Sequence, residues 1–302
     1  MTWHEVLNLL IKNQWYLFYL AAIMVVAGYA KHYNWFYPIY QFIVNRVKSK
    51  RAVVALISAL TGVLPIPGRV SVSAGVLDTI SSDESKSREK LGMIDYLSTH
   101  HYYLWSPLEK TIILPMAAFG LSYWGMLGYM WPLLVGCLGV VLYYLFVVLK
   151  EDDVAIAPAE LKPDRQDGMP DPTKLVDWQL IGLLALIIIF GNFAKEYTSE
   201  IKEFASASGL GLFEMSVISF VGSFFLGSSS RFAALTVIAT TVFGIEYLAW
   251  FFALDYAGYI LSPVHKCAFI GWRYFKTPIT MYYKALVAMC IVVILCSLIT
   301  LI

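Results

Sequence analysis

Charge is what this sequence has least of. Of its 302 residues only 14% are Asp, Glu, Lys or Arg, while 59% are hydrophobic; a typical globular domain carries about 25% and about 45–50%. A water-soluble chain of this size could not cover its surface with so few charges. The expectation is a polytopic, multi-pass membrane protein, with room for about eight to ten segments of about 20 residues. The 22 basic and 21 acidic residues leave a net charge of +1, with no basic stripe to neutralise phosphates, so nucleic acid is not an expected partner. Cys137, Cys267, Cys290 and Cys296 show no CxxC spacing. Buried thiols are expected from them, not a disulfide framework or a zinc site. There is no P-loop, nucleophile elbow, HExxH or dinucleotide fingerprint, so no catalytic residue, metal or cofactor is expected. The start, Met1 to Glu5, lacks the basic residues and cleavage site of a signal peptide, and the first apolar run is expected to be retained.

What is present divides into four segments. Residues 1–51 hold an apolar run, about Trp15 to Ala30, and a short stretch, Tyr40–Val47, flanked by Arg46, Lys48, Lys50 and Arg51. That basic cluster predicts a cytoplasmic edge. Residues 52–149 form a first membrane repeat. Residues 150–178 form a linker, with eight acidic and four basic side chains between Lys150 and Asp177 and prolines at Pro158, Pro163, Pro170 and Pro172. Residues 179–302 form a second membrane repeat.

In the first repeat, two apolar halves of about 12 residues flank Leu64-Pro-Ile-Pro-Gly-Arg69. Each is too short to cross a bilayer alone, and Pro65 and Pro67 disfavour helix at the residues before them. This predicts a broken helix or re-entrant hairpin, tolerated at membrane depth only against protein or a water-filled cavity. Two further apolar runs are expected at Thr111–Leu127 and Trp131–Leu149. In the second repeat a run at Leu180–Phe193 and an amphipathic piece at Tyr197–Ser208 precede another interrupted run, Phe213 to Phe243. It is broken at Gly227-Ser228-Ser229-Ser230-Arg231. Ile245–Ser262 and Ala285–Ile302 complete the chain.

Three landmarks recur in the same order. Arg69 matches Arg231, Asp95-Tyr96 matches Asp255-Tyr256, and Ser106-Pro-Leu-Glu-Lys110 matches Ser262-Pro-Val-His-Lys266, at offsets of 162, 160 and 156 residues. Such order at near-constant spacing points to a duplicated unit. Paired interruptions in two related halves are the best sequence pointer to a transporter's binding site. Whether the repeat is inverted depends on the number of crossings between the breaks. Re-entrant breaks give three crossings and an inverted repeat; a spanning Ile245–Ser262 fits that symmetry less well. The fold class expected is all-α, polytopic, with two related repeats, each with a broken or re-entrant helical hairpin, and the residues alone leave open whether the repeats are inverted.

The stretch from Leu64 through Arg69-Val-Ser-Val-Ser-Ala-Gly-Val-Leu-Asp78 resembles a proline–glycine motif of an uncharacterised family of integral membrane permeases. Ile94-Asp-Tyr96 and Leu261-Ser-Pro-Val-His-Lys-Cys267, followed by Arg273-Tyr-Phe275, resemble two further landmarks of that family. It is grouped with gluconate, citrate and arsenite permeases in the ion-transporter superfamily. The resemblance covers about Ala52 to Phe275. It implies inverted repeats, hairpins meeting near the midplane, a homodimer, and alternating access in a prokaryotic inner or plasma membrane.

Arg69 and Arg231 are the sharpest candidates. A charge at membrane depth costs about 2.5–3.5 kcal/mol or more, so it faces a cavity or a partner, and a guanidinium suits a carboxylate or phosphate. The alternative is that each lies near the interface and snorkels to headgroups. A site for a small anionic solute would be lined by Pro65, Pro67, Gly68, Arg69, Ser71, Ser73, Gly227, Ser228, Ser229, Ser230 and Arg231. The serines would equally serve close helix packing. Asp255 and His265 are candidates for coupling by Na+ or H+, or else a structural ion pair and a loop residue. Glu214 and Glu246 are weaker. His100-His101 is weak as a metal site because adjacent helix positions point about 100° apart. The expected function is secondary transport. A membrane scaffold or channel-like protein stays open as an alternative. So does a lipid-modifying enzyme using Ser81–Lys90 and His100–Lys110.

Overall fold

The computed structural model describes residues 3–63, 69–81, 85–150, 153–154, 168–265, 267 and 274–301. The protein is all-α. Its helices are α1 (Trp3–Lys12), α2 (Gln14–His32), α3 (Tyr37–Arg46), α4 (Lys50–Val63), α5 (Arg69–Ile80), α6 (Ser85–His100), α7 (Lys110–Phe119) and α8 (Tyr123–Tyr143). There follow α9 (Pro172–Leu175), α10 (Trp178–Glu196), α11 (Thr198–Ala207), α12 (Leu212–Leu226), α13 (Ser229–Phe243), α14 (Leu248–Leu261) and α15 (Ile279–Ser297).

Among the described residues two helices are long and apolar enough to cross a membrane: α8, which continues as a π turn to Val148, and α15, which continues as a 3-10 turn to Leu301. They pack on each other. In α8 one face (Met126, Met130, Leu133, Cys137, Val140) is buried, and the other (Trp124, Trp131, Val135, Leu138, Leu142) is exposed. Both faces are apolar. In α15, Leu286, Met289, Cys290 and Val293 are buried while Val287, Ile291 and Leu295 are exposed. α1 and α2 taken together are also long and apolar enough to cross, with a bend of 54° at their junction.

The expected run Thr111–Leu127 is not one segment. Gly120 takes the left-handed conformation (φ 66°) that closes α7, and Ser122 caps α8 by accepting from the Gly125 N–H. Such a pair of signals stops one helix and starts the next, so the apolar residues after Ser122 join the run that follows. Ile245–Ser262 likewise starts late. Gly244 (φ 118°) ends α13, Ile245–Tyr247 form a 3-10 turn, and α14 begins at Leu248.

Both interrupted runs are short-armed. The arms α4 and α5 have 14 and 12 residues, and α12 and α13 have 15 each. At 1.5 Å per residue each spans about 18–23 Å, short of a hydrocarbon core of about 30 Å. In each unit the two arms pack together and both pack on the next helix, α4 and α5 on α6, α12 and α13 on α14. Gly258 allows the close approach in the second unit: a Cβ there would stand 2.2 Å from the Phe220 carbonyl oxygen. Gly62 serves the first, facing the Thr99 backbone at 2.9 Å. Twelve of the fourteen residues of α14 are buried, as befits a helix apolar all round and enclosed by protein.

The N-terminal end of α6 is fastened from outside. Lys90 donates to Asp153 at 2.5 Å, and Arg88 pairs with Asp78 and also donates to the Tyr274 carbonyl. Burial works against the charge of Asp153, but the hydrogen bonds from Lys90 and the Lys150 N–H outweigh it and hold the carboxyl below its ordinary value.

Candidate functional site

Two buried carboxylates are clasped in the same way. In the first, Ser58 of α4 donates to Asp95 Oδ1 (2.6 Å) and Ser73 of α5 donates to Oδ2 (3.0 Å). In the second, Ser223 of α12 donates to Asp255 Oδ1 (2.8 Å) and Thr236 of α13 to Oδ2 (2.7 Å). Both carboxylates are sealed from solvent, at 1% and 0% exposure. Among the described residues neither has a basic partner. The arrangement is the same twice: one hydroxyl from each arm of a hairpin, one oxygen each, on the helix that follows.

The units meet reciprocally. Tyr96 donates to the Ile260 carbonyl (3.3 Å) and Tyr256 to the His100 carbonyl (3.5 Å). The pairs 95/255, 96/256 and 100/260 all differ by 160, so each tyrosine bonds the carbonyl four residues beyond the other, and the two carbonyls are themselves counterparts. The Ser-Pro turns after the two helices are also alike. The Leu108 and Val264 N–H groups each bond the preceding serine hydroxyl at 3.3 Å, and the Glu109 and His265 N–H groups each bond the serine carbonyl. Tyr103 and Tyr259 hydroxyls meet at 2.8 Å between the units.

The arginines fare differently. Arg69, at the first residue of α5, pairs with Glu109 at 2.8 Å, donates to the Gly62 carbonyl, and lies 3.4 Å from the centre of the Tyr102 ring. It and Glu109 line a cavity of about 280 Å³ with Lys110, Asp177 and apolar residues of α2 and α10, including Leu20, Ile23 and Leu180. Arg231 is exposed on α13, and α5 and α13 make no extensive contact. Arg69 stands near the Tyr103 ring, and Phe232 packs edge-on against that same ring at 6.1 Å. That aromatic contact links the start of α5 to α13.

Pro65, Pro67 and Gly68 lie outside the described residues. Ser73 belongs to the Asp95 clasp, and Ser71 is half-buried. Gly227 (φ 54°) closes α12 beside Val264 and Ser262, where any Cβ would collide at 2.4 Å. Ser228 occupies the cap position of α13 without a side-chain bond, Ser229 is buried, and the side chain of Ser230 lies outside the described residues. Glu214 lines a separate cavity with Leu210 and Phe243, and Glu246 is exposed.

His265 is buried and its Nε2 stands 3.4 Å from Nε2 of His100. One ring nitrogen of each and the Cys267 sulfur lie within 4.8 Å of one another. His100 thus faces His265, a partner 165 residues away, and not its neighbour His101, whose Nδ1 accepts from the Trp105 indole. Sequence reasoning did not nominate Asp95, Ser58, Ser223, Thr236 or Cys267 as site residues, and reached Glu109 only as part of the stretch His100–Lys110. The Asp95-Tyr96 match to Asp255-Tyr256 held a usable signal for the first; the hydroxyl donors have no motif. No protein-family model, characterised protein or solved structure matches the chain, so its function is argued from its own residues.

Proposed function

We propose that the protein is a multi-pass membrane transporter that moves a small anionic solute by alternating access, with Asp255 and its counterpart Asp95 as the seats of Na+ or H+ coupling. The observation that carries this reading is the duplicated clasp: two short-armed hairpins, each holding one buried carboxylate by a hydroxyl from each arm. Interrupted segments at corresponding places in two halves are where transporters build their sites. An ionisable group at membrane depth is a functional candidate by default. The reciprocal Tyr96 and Tyr256 bonds support a two-fold relation between the repeats, and with re-entrant hairpins that relation is an inverted one. The apolar outer faces of α8 and α15 support immersion, since a water-soluble protein seldom exposes such continuous stripes.

The solute would enter the cavity at the tip of the first hairpin. Arg69 is pre-oriented there by Glu109 and Tyr102, and Lys110 supplies a second positive charge. A carboxylate or oxyanion would be met by the planar fork of Arg69. Arg231 takes no direct part in this cavity.

The test is flux and binding together. Purified protein is screened for thermal stabilisation by organic and inorganic anions, with and without Na+, and the stabilising class is carried into proteoliposome uptake. A ligand at 100 times its Kd adds about 2.7 kcal/mol to the folded state. Arg69→Lys and Lys110→Ala should weaken both the shift and the uptake. A wild type that no anion stabilises and that moves none would end the transport reading.

A further inference from the structure

We propose that His100, His265 and Cys267 form a binding site for a borderline transition-metal ion of the Zn2+ class, which clasps the two repeats together. The inference goes beyond transport and does not depend on it.

The argument begins with the outer nitrogens. His100 Nδ1 lies 2.6 Å from the Tyr96 carbonyl, which can only accept, so Nδ1 carries the hydrogen. His265 Nδ1 lies 3.2 Å from the Tyr259 carbonyl and 3.1 Å from the Tyr96 hydroxyl. That hydroxyl spends its hydrogen on the Ile260 carbonyl, so it too presents an acceptor to His265. Both Nδ1 atoms are therefore donors, and both Nε2 atoms present lone pairs. They face each other at 3.4 Å inside a core where each histidine is at most 2% exposed. Two lone pairs so placed repel unless an electrophile lies between them.

The spacing suits a metal. With metal–nitrogen bonds of about 2.0–2.1 Å, the edge of a tetrahedron between two nitrogens is about 3.4 Å. A nitrogen–sulfur edge is about 3.6 Å, and the Cys267 sulfur lies within 4.8 Å of one nitrogen of each ring, so a shift of about an ångström would close the set. Backbone carbonyls on the outer imidazole nitrogens are the customary support for histidine ligands. Two imidazoles and a thiol select Zn2+, Co2+ or Cu+ over Mg2+ or Ca2+. On binding, the Cys267 thiol releases its proton to solvent and coordinates as thiolate. The nearby charge of Arg69 is already matched by Glu109. Three protein ligands leave one position open.

The placement gives the ion a role. His100 ends α6 of the first unit, and His265 and Cys267 follow α14 of the second. A bound ion would therefore tie the two repeats at the point where their tyrosines cross.

Full-length protein, reduced and stripped with chelator, is titrated with Zn2+ and with Co2+ as a spectroscopic probe. Wild type should retain one Zn2+ per chain after desalting, and Co2+ should give a thiolate-to-metal charge-transfer band. Cys267→Ser should abolish the band, and Cys290→Ser should leave it. His100→Gln and His265→Gln should each weaken retention by about 10–100-fold or more. Because substitutions in this core can impair folding, wild-type Cys267 is also followed by alkylation and peptide mapping. Zn2+ should slow its reaction about tenfold or more, and Mg2+ should not. The proposal is overturned if wild type retains no Zn2+ and Cys267 reacts at an unchanged rate, in which case a proton shared between the imidazoles explains their approach. It is also overturned if the charge-transfer band survives Cys267→Ser.

Discussion

Replacing Thr236 by valine keeps the shape of the side chain and removes one hydrogen from the Asp255 clasp. The bond lost is 2.7 Å long and both partners are fully buried, at 0% exposure. No water can take the hydroxyl's place, so Oδ2 of Asp255 is left with an unmet acceptor. Removing one partner of such a bond costs about 1.5–3 kcal/mol, and the extra methyl gained returns about 0.8 kcal/mol. The net expectation is a loss of about 1–2 kcal/mol. Ser73→Ala in the first clasp should cost less. Its hydroxyl has one hydrogen and two acceptors in reach, Asp95 Oδ2 at 3.0 Å and the Val70 carbonyl at 3.2 Å, so Asp95 receives only part of that bond. The assay is reversible unfolding in mixed micelles by denaturing detergent. A double-mutant cycle of Thr236→Val with Asp255→Asn isolates the pair, with a coupling of about 0.5–3 kcal/mol expected for residues in contact. A Thr236→Val loss no larger than that of Ser73→Ala, with no measurable coupling to Asp255, would refute the clasp as an energetic unit.

Three further outcomes can be checked on the same preparation. Arg69→Ala leaves Glu109 buried without its partner and should cost about 3–5 kcal/mol, whereas the double variant Arg69→Met/Glu109→Gln should be distinctly milder; equal losses would show that the pair contributes nothing. Gly258→Ala drives a Cβ into the Phe220 and Phe224 backbone and should destabilise by about 1–3 kcal/mol, while Gly139→Ala, with open space around it, should be neutral or better. Asp153 has its carboxyl held below the ordinary 3.8. Its folded state therefore binds fewer protons than the unfolded one just below that value, and the stability it contributes is present above 3.8 and lost as pH falls through the folded value. Melting temperature against pH should show this acid loss in wild type and not in Asp153→Asn.

The all-α fold and the two interruptions were legible because they rest on local signals: apolar runs of definite length, and proline, glycine and serine where helix must stop. The division between α7 and α8 was missed for a related reason. Gly120 and Ser122 are weak breakers when read singly, and only the left-handed φ of one and the cap bond of the other make them a boundary. The clasps were half legible. Asp95-Tyr96 and Asp255-Tyr256 stood out as a repeat, but Ser58, Ser73, Ser223 and Thr236 are ordinary helix residues until packing turns them toward the carboxylates. Their pairing spans 19 to 37 positions, which no periodicity encodes.

The arginines show how an alignment of landmarks can mislead about chemistry. Arg69 and Arg231 occupy matching places, and so do Glu109 and His265 in the turns that follow. In the first unit the turn supplies an acid, and Arg69 folds inward onto it over the Tyr102 face. In the second unit the same position is histidine, which offers a guanidinium no opposite charge. Arg231 is exposed, and His265 turns to His100 across the junction of the repeats. The residue at this place in the two turns thus separates two surroundings: a charged cavity wall around Arg69 and Glu109, and two imidazoles facing each other between α6 and the end of α14. The likeness of the two Ser-Pro turns was readable from spacing, whereas the different surroundings of the two arginines follow from what stands opposite each.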